Sequence, residues 1–600
     1  MKTNKLYKSV LALFAFIGVC GFTSCEDFLT VEPTDQITEE QFWKSKSDVD
    51  NSRAGIYNQM TTGGVTQKIL QWGEVRCDNF IINDNTQTMY RLMQEATLQP
   101  TDNIYDWSSL YKGINLCNLL LVRGQQMIDN DVDPSFSNGD WKPIKAEAIG
   151  MRALYYFYLV KAFRNVPYTT TAYTTDAEAR KANLPATKGV VILDSLINQL
   201  EECRTYAATN YGSSSENKGR LTKRSIKAIL ADMYLWRGCM LNKSDAKGDS
   251  IADANAKRDL CFSRANELCD SIILEMNQEY RQNMSSGSSW GSTSSNQDAN
   301  YPLIPFYAFG SNVTDNIYTS IWANENSSES IFELQYDGTN NQNSALTIMS
   351  SFSNGVFSAK ILSINPSFMA NTSSVDPEKG YGKTDIRMLE VCNLPTGNST
   401  SYPFHRGIAQ SISIQDLQDM TKGFGSTPQY TPDNGNASNW PVYRLSDIML
   451  MKAEALARKA TLKDADYETA YNLVLSLFKR YNPQLLPAEG NDGETLISTR
   501  LNPDYWSQSE NKNATKLLTT IYAERQREFI GEGKRWFDLV RQSEYENSTN
   551  TALATFMGAT KTIQNRLRNL VSLYNPIYSE ELKVNDNLKQ NIIWEKYSKN

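Results

Sequence analysis

Histidine is almost missing from this chain: 600 residues contain one, His405. A metal centre built from several imidazoles is therefore excluded. Gly287-Ser288-Ser289-Trp290-Gly291 matches the G-x-S-x-G nucleophile elbow, but that motif needs a strand before it and a helix after it, and neither pattern is visible. Net positive charge is lacking too. The formal charge is −7, and the first 24 residues carry Lys2, Lys5 and Lys8 without an acid, so removing them makes it three units more negative. Nucleic acid is a poor partner for such a surface. The apolar run near the start, Val10 to Val19, is too short to span a bilayer and has the length of a signal-peptide core. Besides Cys20 and Cys25 there are seven cysteines, Cys77, Cys117, Cys203, Cys239, Cys261, Cys269 and Cys392. That odd number, mostly in helical patterns, suggests small core residues rather than a disulfide framework, with one or two bridges still possible.

What is present is ordinary for a globular chain: 40% hydrophobic and 21% charged residues, enough for a sizeable core. The stretch Trp141 to Tyr168 organises the rest. Ala146, Ile149, Ala153, Tyr156, Val160 and Phe163 recur at steps of three and four, and Leu154, Phe157 and Leu159 widen the stripe. We expect a helix packed on two sides and ended by Pro167. Helical patterning also marks Gln41 to Met60, Ile104 to Met127, Val190 to Tyr206, Thr222 to Met240, Ala254 to Tyr280, Tyr443 to Lys459 and Asp466 to Tyr481. Lys516 to Arg541 follows, broken by Gly531 and Gly533. Trp72 to Asn103 is irregular. From 282 to 439 periodicity is lost amid Ser, Asn, Gly and scattered aromatics. Helix pairs with small residues at their crossings are the mark of tetratricopeptide-like repeats, here degenerate and interrupted by a large insertion.

Several motifs have a bland reading that wins. Asp129, Asp131 and Asp133 are spaced like calcium-loop ligands, but Pro134 replaces the turn glycine and Asp140, not Glu, closes the loop. An acidic surface turn fits better. Glu532-Gly533-Lys534-Arg535 lacks both the first glycine and the hydroxyl of a phosphate loop. Glu524 and Glu528, four apart on one helix, could serve as a glycosidase pair. Arg525, Arg527, Lys534, Arg535 and Arg541 crowd the same stretch, so we read a structural ion-pair network there.

The aromatics of the insertion are the better functional clue. Trp290, Tyr301, Phe306, Tyr307, Phe309, Tyr318 and Trp322 stand among Asn and Ser where no period assigns them to a core. Flat rings beside amides and hydroxyls suit sugars, whose C–H faces stack while their hydroxyls need hydrogen bonds. Our candidate ligand contacts are Trp290, Tyr301, Tyr307, Tyr318 and Trp322, with a second patch at Asn83, Asp84, Tyr90 and Arg91. No catalytic residue, metal ligand or cofactor is expected.

Cys25-Glu26-Asp27-Phe28-Leu29, Val166-Pro167, Ala453-Glu454-Ala455, Glu532-Gly533 and Asp538-Leu539 belong to an ordered series of motifs that resembles the SusD/RagB family of outer-membrane nutrient-binding lipoproteins of Bacteroidetes. Phe22-Thr23-Ser24-Cys25 is similar to a lipobox, which would make residues 1–24 a signal peptide and Cys25 the lipidated residue, and Glu26-Asp27 resembles a surface-export signal. Further pieces are Ile144-Lys145-Ala146-Glu147-Ala148, Arg152-Ala153-Leu154-Tyr155-Tyr156-Phe157 and Arg220-Leu221-Thr222-Lys223. Tyr443-Arg444-Leu445-Ser446-Asp447-Ile448, Glu524-Arg525, Glu528-Phe529 and Asn587-Leu588-Lys589-Gln590-Asn591 continue the series. The resemblance implies a mainly α fold in which tetratricopeptide-like helix pairs form a right-handed superhelical scaffold carrying a loop-rich ligand-binding region. Residues 25–600 would be one such domain, with scaffold at about 104–280 and 440–545 and insertion at about 282–439. It also implies a non-catalytic, lipid-anchored cell-surface protein that binds a glycan and works with a SusC-like TonB-dependent transporter. A peptide receptor of the same type is the alternative, and a glycosidase using Glu524 and Glu528 the third reading.

Overall fold

The computed structural model describes residues 42–62, 64–82, 87–241, 251–285, 301–304, 437–461, 463–482 and 511–597, with shorter stretches between 317 and 432. The helices that build the scaffold are, in chain order, α1 Lys46–Thr61, α2 Val65–Glu74, α3 Thr88–Gln94, α4 Ser108–Asp129, α5 Asn138–Phe163, α6 Gly189–Cys203, α7 Ser214–Gly219, α8 Lys223–Met240, α9 Ile251–Ser285, α10 Leu445–Ala457, α11 Asp464–Tyr481, α12 Ala514–Glu528 and α13 Arg535–Glu546. Four short strands position the insertion: β1 Phe80–Ile82, β2 Ser330–Leu334, β3 Leu362–Ile364 and β4 Trp440–Arg444. The fold is mainly α and tetratricopeptide-like.

Helix α5 starts where Ser137 and Asp140 cap each other: the Ser137 hydroxyl accepts from the Asp140 N–H at 3.2 Å and the Asp140 carboxylate accepts from the Ser137 N–H at 3.0 Å. Every residue from Ala146 to Phe163 is buried. The helix is thus enclosed all round, more completely than a two-sided stripe suggests. It ends at Arg164, not Pro167. Arg164 adopts a φ of +66°, and its guanidinium is held on the buried Glu544 carboxylate at 2.7 Å, an anchor that offsets the backbone strain. Pro167 lies beyond, in a two-residue strand paired with Ala186–Thr187.

Neighbours stack stepwise: α1 on α4, α4 on α5, α5 on α6, α6 on α8, α8 on α9, α9 on α10, and α10 on α11 and α12. The α9 to α10 contact joins helices separated by the whole insertion. The scaffold therefore runs on as if the insertion were absent. Close approach is secured by small residues: a side chain at Gly113 of α4 would collide with the Tyr155 ring of α5. Gly531 and Gly533, at φ +75° and +71°, break α12 from α13 as expected, and the Gly533 carbonyl packs directly on Gly73 of α2.

The insertion is pinched at a neck where β2 and β4 pair antiparallel, Trp440 opposite Leu334 and Arg444 opposite Ser330. The stretch before Ile104, irregular in sequence, contains β1 and α3, and β1 pairs antiparallel with β3 of the insertion. The edge-to-face contact of Phe80 with Phe404 at 4.9 Å reinforces that join. Cys77, Cys117, Cys203, Cys239, Cys261 and Cys269 are buried free thiols, and burial pushes the Cys117 thiol up to about 12. They are core residues. Among the described residues no helix is long and apolar enough to cross a membrane.

Candidate functional site

A cleft of about 670 Å³ opens where the scaffold meets the mouth of the insertion. Its floor comes from α7, α8 and the end of α9, and its far wall from Asn326, Ser327 and Ser328, which lead into β2. The loop before α7 is folded by its own amides. Asn210 Oδ1 accepts from the Gly212 N–H at 2.7 Å and from Asn217 Nδ2 at 2.9 Å, while Asn217 Oδ1 accepts from the Tyr211 N–H at 2.7 Å. Asn210 Nδ2 keeps its donors unused among the described residues. Ser214 donates to the Asn326 carbonyl at 3.3 Å and Lys218 to the Ser330 carbonyl, tying the floor to the wall.

The wall is held from behind. Buried Glu333 accepts from the Asn326 N–H at 3.0 Å, from Asn439 Nδ2 at 3.0 Å and from Ser330. Glu325 and Asn326 both take left-handed conformations, at φ +57° and +48°, and those bonds compensate the strain. Arg224 forks onto Glu279, and the Tyr280 ring stands beside them, half-buried, its hydroxyl making no hydrogen bond among the described residues. The result is an aromatic face with amides and hydroxyls around it, able to bind a polyhydroxylated ligand.

The candidates from sequence are dispersed. Trp322 is 2% exposed and packs edge-on against Trp440 at 6.1 Å. Tyr90 is 4% exposed, its hydroxyl accepting from Gln71 at 2.5 Å. Neither ring offers a face for stacking, so both are corrected to anchors of the fold. Arg91 is exposed and paired with Glu95 at 3.1 Å. Tyr301 is half-buried and immediately precedes Pro302, which lines the cleft. Asn83, Asp84, Trp290, Tyr307 and Tyr318 lie outside the described residues, as do Cys25 and Cys392. A separate cavity of about 550 Å³ sits beside β1, reached by Asp78, Gln94, Asn365 and Lys379; no residue lines both spaces. Of α3 only Gln94 lines that cavity; Tyr90 and Arg91 line neither space.

Asn210, Asn217, Lys218 and Tyr280 were missed in sequence. One signal was there: the run Ala208 to Gly219 shares the Ser/Asn/Gly composition of the insertion.

Glu524 and Glu528 are fully buried and closed by arginines. Arg387 donates to Glu524 at 2.8 Å and to Glu528 at 3.1 Å, Arg444 and Arg480 donate to the other Glu528 oxygen, and Arg527 occupies the second oxygen of Glu524. Burial alone would raise the Glu528 pKa, but Arg444, Arg480 and Arg387 hold it far below the usual carboxylate range. All four oxygens of the pair thus accept from guanidiniums. At the other motif, Asp133 accepts from the Lys46 and Ser135 backbones, and Asp140 is spent on its cap and on Lys46 at 2.7 Å. No group of three potential metal ligands occurs among the described residues.

These features define a class: an α-helical repeat scaffold with a large insertion pinned at a strand-paired neck and a polar cleft beside it. The family model described as "SusD family" matches residues 414–594, and the one described as "Starch-binding associating with outer membrane" matches residues 27–235. A SusD-like protein of Formosa agariphila is 23% identical over 98% of this chain and 99% of its own. A SusD homolog from Bacteroides thetaiotaomicron superposes over 92% of this chain and 98% of its own, with a TM-score of 0.60 and 20% identity. A laminarin-binding SusD-like protein covers 92% of this chain and 99% of its own, with a TM-score of 0.56 and 19% identity. The chain belongs to the SusD family.

Proposed function

We propose that the protein is a cell-surface lipoprotein of the outer membrane that captures an oligo- or polysaccharide and passes it, uncleaved, to a SusC-like TonB-dependent transporter. The observation that carries this reading is the cleft, where the Tyr280 ring, the unused Asn210 amide and the hydroxyls of Ser214 and Ser328 meet at the insertion. The outer-membrane association in the description of one matching family, and a laminarin-binding relative of the same fold, support it. Closure of Glu524 and Glu528 by arginines supports a non-catalytic role. Tyr301 and Trp290 are the insertion residues we assign to the same ligand, with Tyr307 and Tyr318 as further candidates. Cys25 would carry the lipid.

Calorimetry of the purified protein against starch, laminarin and a panel of plant and host polysaccharides tests the reading. Saturable binding to at least one, weakened about tenfold by Tyr280→Ala, is expected. Absence of binding to every glycan would overturn it. Palmitate labelling that disappears in Cys25→Ala checks the anchor, and co-purification of a barrel protein from membranes checks the transporter.

A further inference from the structure

The cations around the cleft fall into two sets. Arg224 is forked onto Glu279 and lies 3.6 Å from Glu275, Lys227 pairs with Glu275, and Arg220 pairs with Glu147 at 2.7 Å and Glu216 at 3.4 Å. Lys218 differs. Its amine forms no ion pair among the described residues, and its one hydrogen bond goes to the neutral Ser330 carbonyl. An ammonium has three donors, so two remain for the cleft that Lys218 lines. Its position is fixed by the fold: α7 packs on β2, and the next residue, Gly219, lies against the Gln335 side chain.

Two carboxylates face this amine from the packed elements, and both are committed elsewhere. Glu279 of α9 is held by Arg224, while Glu333 of β2 is held by Ser330, Asn326 and Asn439. Burial, helped by the Arg224 charge, lowers the Lys218 pKa to about 8, so the ammonium is costly where it stands. A half-buried cation without an anionic partner is stabilised when a ligand brings one.

We propose that the cleft selects an anionic sugar, a uronate or sulfated residue whose acid group takes the two unused donors of Lys218. This rests on the reading of the cleft as a glycan site. Asn210, Ser214 and Ser328 then serve the hydroxyls of the same or a neighbouring sugar unit, and Tyr280 its apolar face. The overall negative charge of the chain gives no general attraction for acids, so any preference must be local to this amine.

The test compares oligogalacturonate with its methyl ester, and dextran sulfate with dextran, on the native protein, Lys218→Met and Lys218→Arg. At least one acidic form is expected to bind tenfold or more tightly than its neutral counterpart. Lys218→Met should erase that preference and Lys218→Arg should keep it, which also shows that the variant site is folded. Raising pH from 7 to 9 should weaken acidic binding to the native protein and leave Lys218→Arg unchanged. The arm that responds identifies carboxylate or sulfate. Equal binding of acidic and neutral forms, or a preference surviving in Lys218→Met, would overturn the proposal while leaving the glycan reading intact. Binding of no glycan at all would overturn both.

Discussion

The Glu528 centre and the insertion cleft are both rich in polar side chains and differ in what they leave open. Around Glu528, carboxylates and guanidiniums from the neck, α11, α12 and the insertion are buried together, and both oxygens of Glu524 and Glu528 are occupied. Around Lys218, donors from α7 and the loop before it are only partly used. Density of buried charge thus marks the scaffold, and donors that border open space mark the site. The arginine-rich stretch is the more conspicuous in sequence and the less available chemically.

The largest expected effect breaks the closed side of this comparison. Glu528→Ala leaves Arg387, Arg444 and Arg480 buried without their shared anion, which should cost about 3–5 kcal/mol or prevent folding, measured by chemical denaturation. The pH dependence has a definite sign. Because the folded-state pKa of Glu528 is depressed, its stabilisation is complete above the ordinary value of 4.5 and is lost progressively as pH falls below it. Acid melts of the native protein should show that loss. Trp322→Ala comes next, removing one of the largest fully buried side chains for about 3–5 kcal/mol. Its glycan affinity per folded molecule should be unchanged, unlike a true stacking residue.

Glu74 tests the opposite sign. This buried carboxyl is raised to about 7 by desolvation, so what it contributes is present below pH 4.5 and lost as pH climbs through about 7. Glu74→Gln, neutral throughout, should gain about 3 kcal/mol relative to the native protein at pH 8 and nothing at pH 4. Thermal melts at the two pH values read the difference.

The scaffold was legible because helices write their burial into a period: α4, α5, α8 and α10 carry stripes at steps of three and four, and Gly531 and Gly533 mark their break with φ values that favour glycine. The cleft has no such period. Asn210, Lys218, Tyr280 and Asn326 come together only because α7 docks on β2 and α9 ends beside it. Trp322 misled for the same reason. Its polar neighbours in sequence suggest exposure, whereas Trp440, more than a hundred residues later, covers it across the neck. A residue's environment in a long insertion is set by partners that local composition does not name.

The smallest expected effect decides between the cleft and the patch on α3. Arg91 stands on α3, exposed and paired only with Glu95 four residues on. Such an exposed pair contributes little, so Arg91→Ala should change stability by no more than about 0.5 kcal/mol. Tyr280→Ala, at a half-buried ring without a hydrogen bond among the described residues, should also fold normally. With stability held constant in both, affinity alone separates them. Glycan binding weakened by Tyr280→Ala and untouched by Arg91→Ala places the ligand at the mouth of the insertion. The reverse pattern would move it to the patch around Arg91 on α3, and the open donors of Lys218 would then need another explanation.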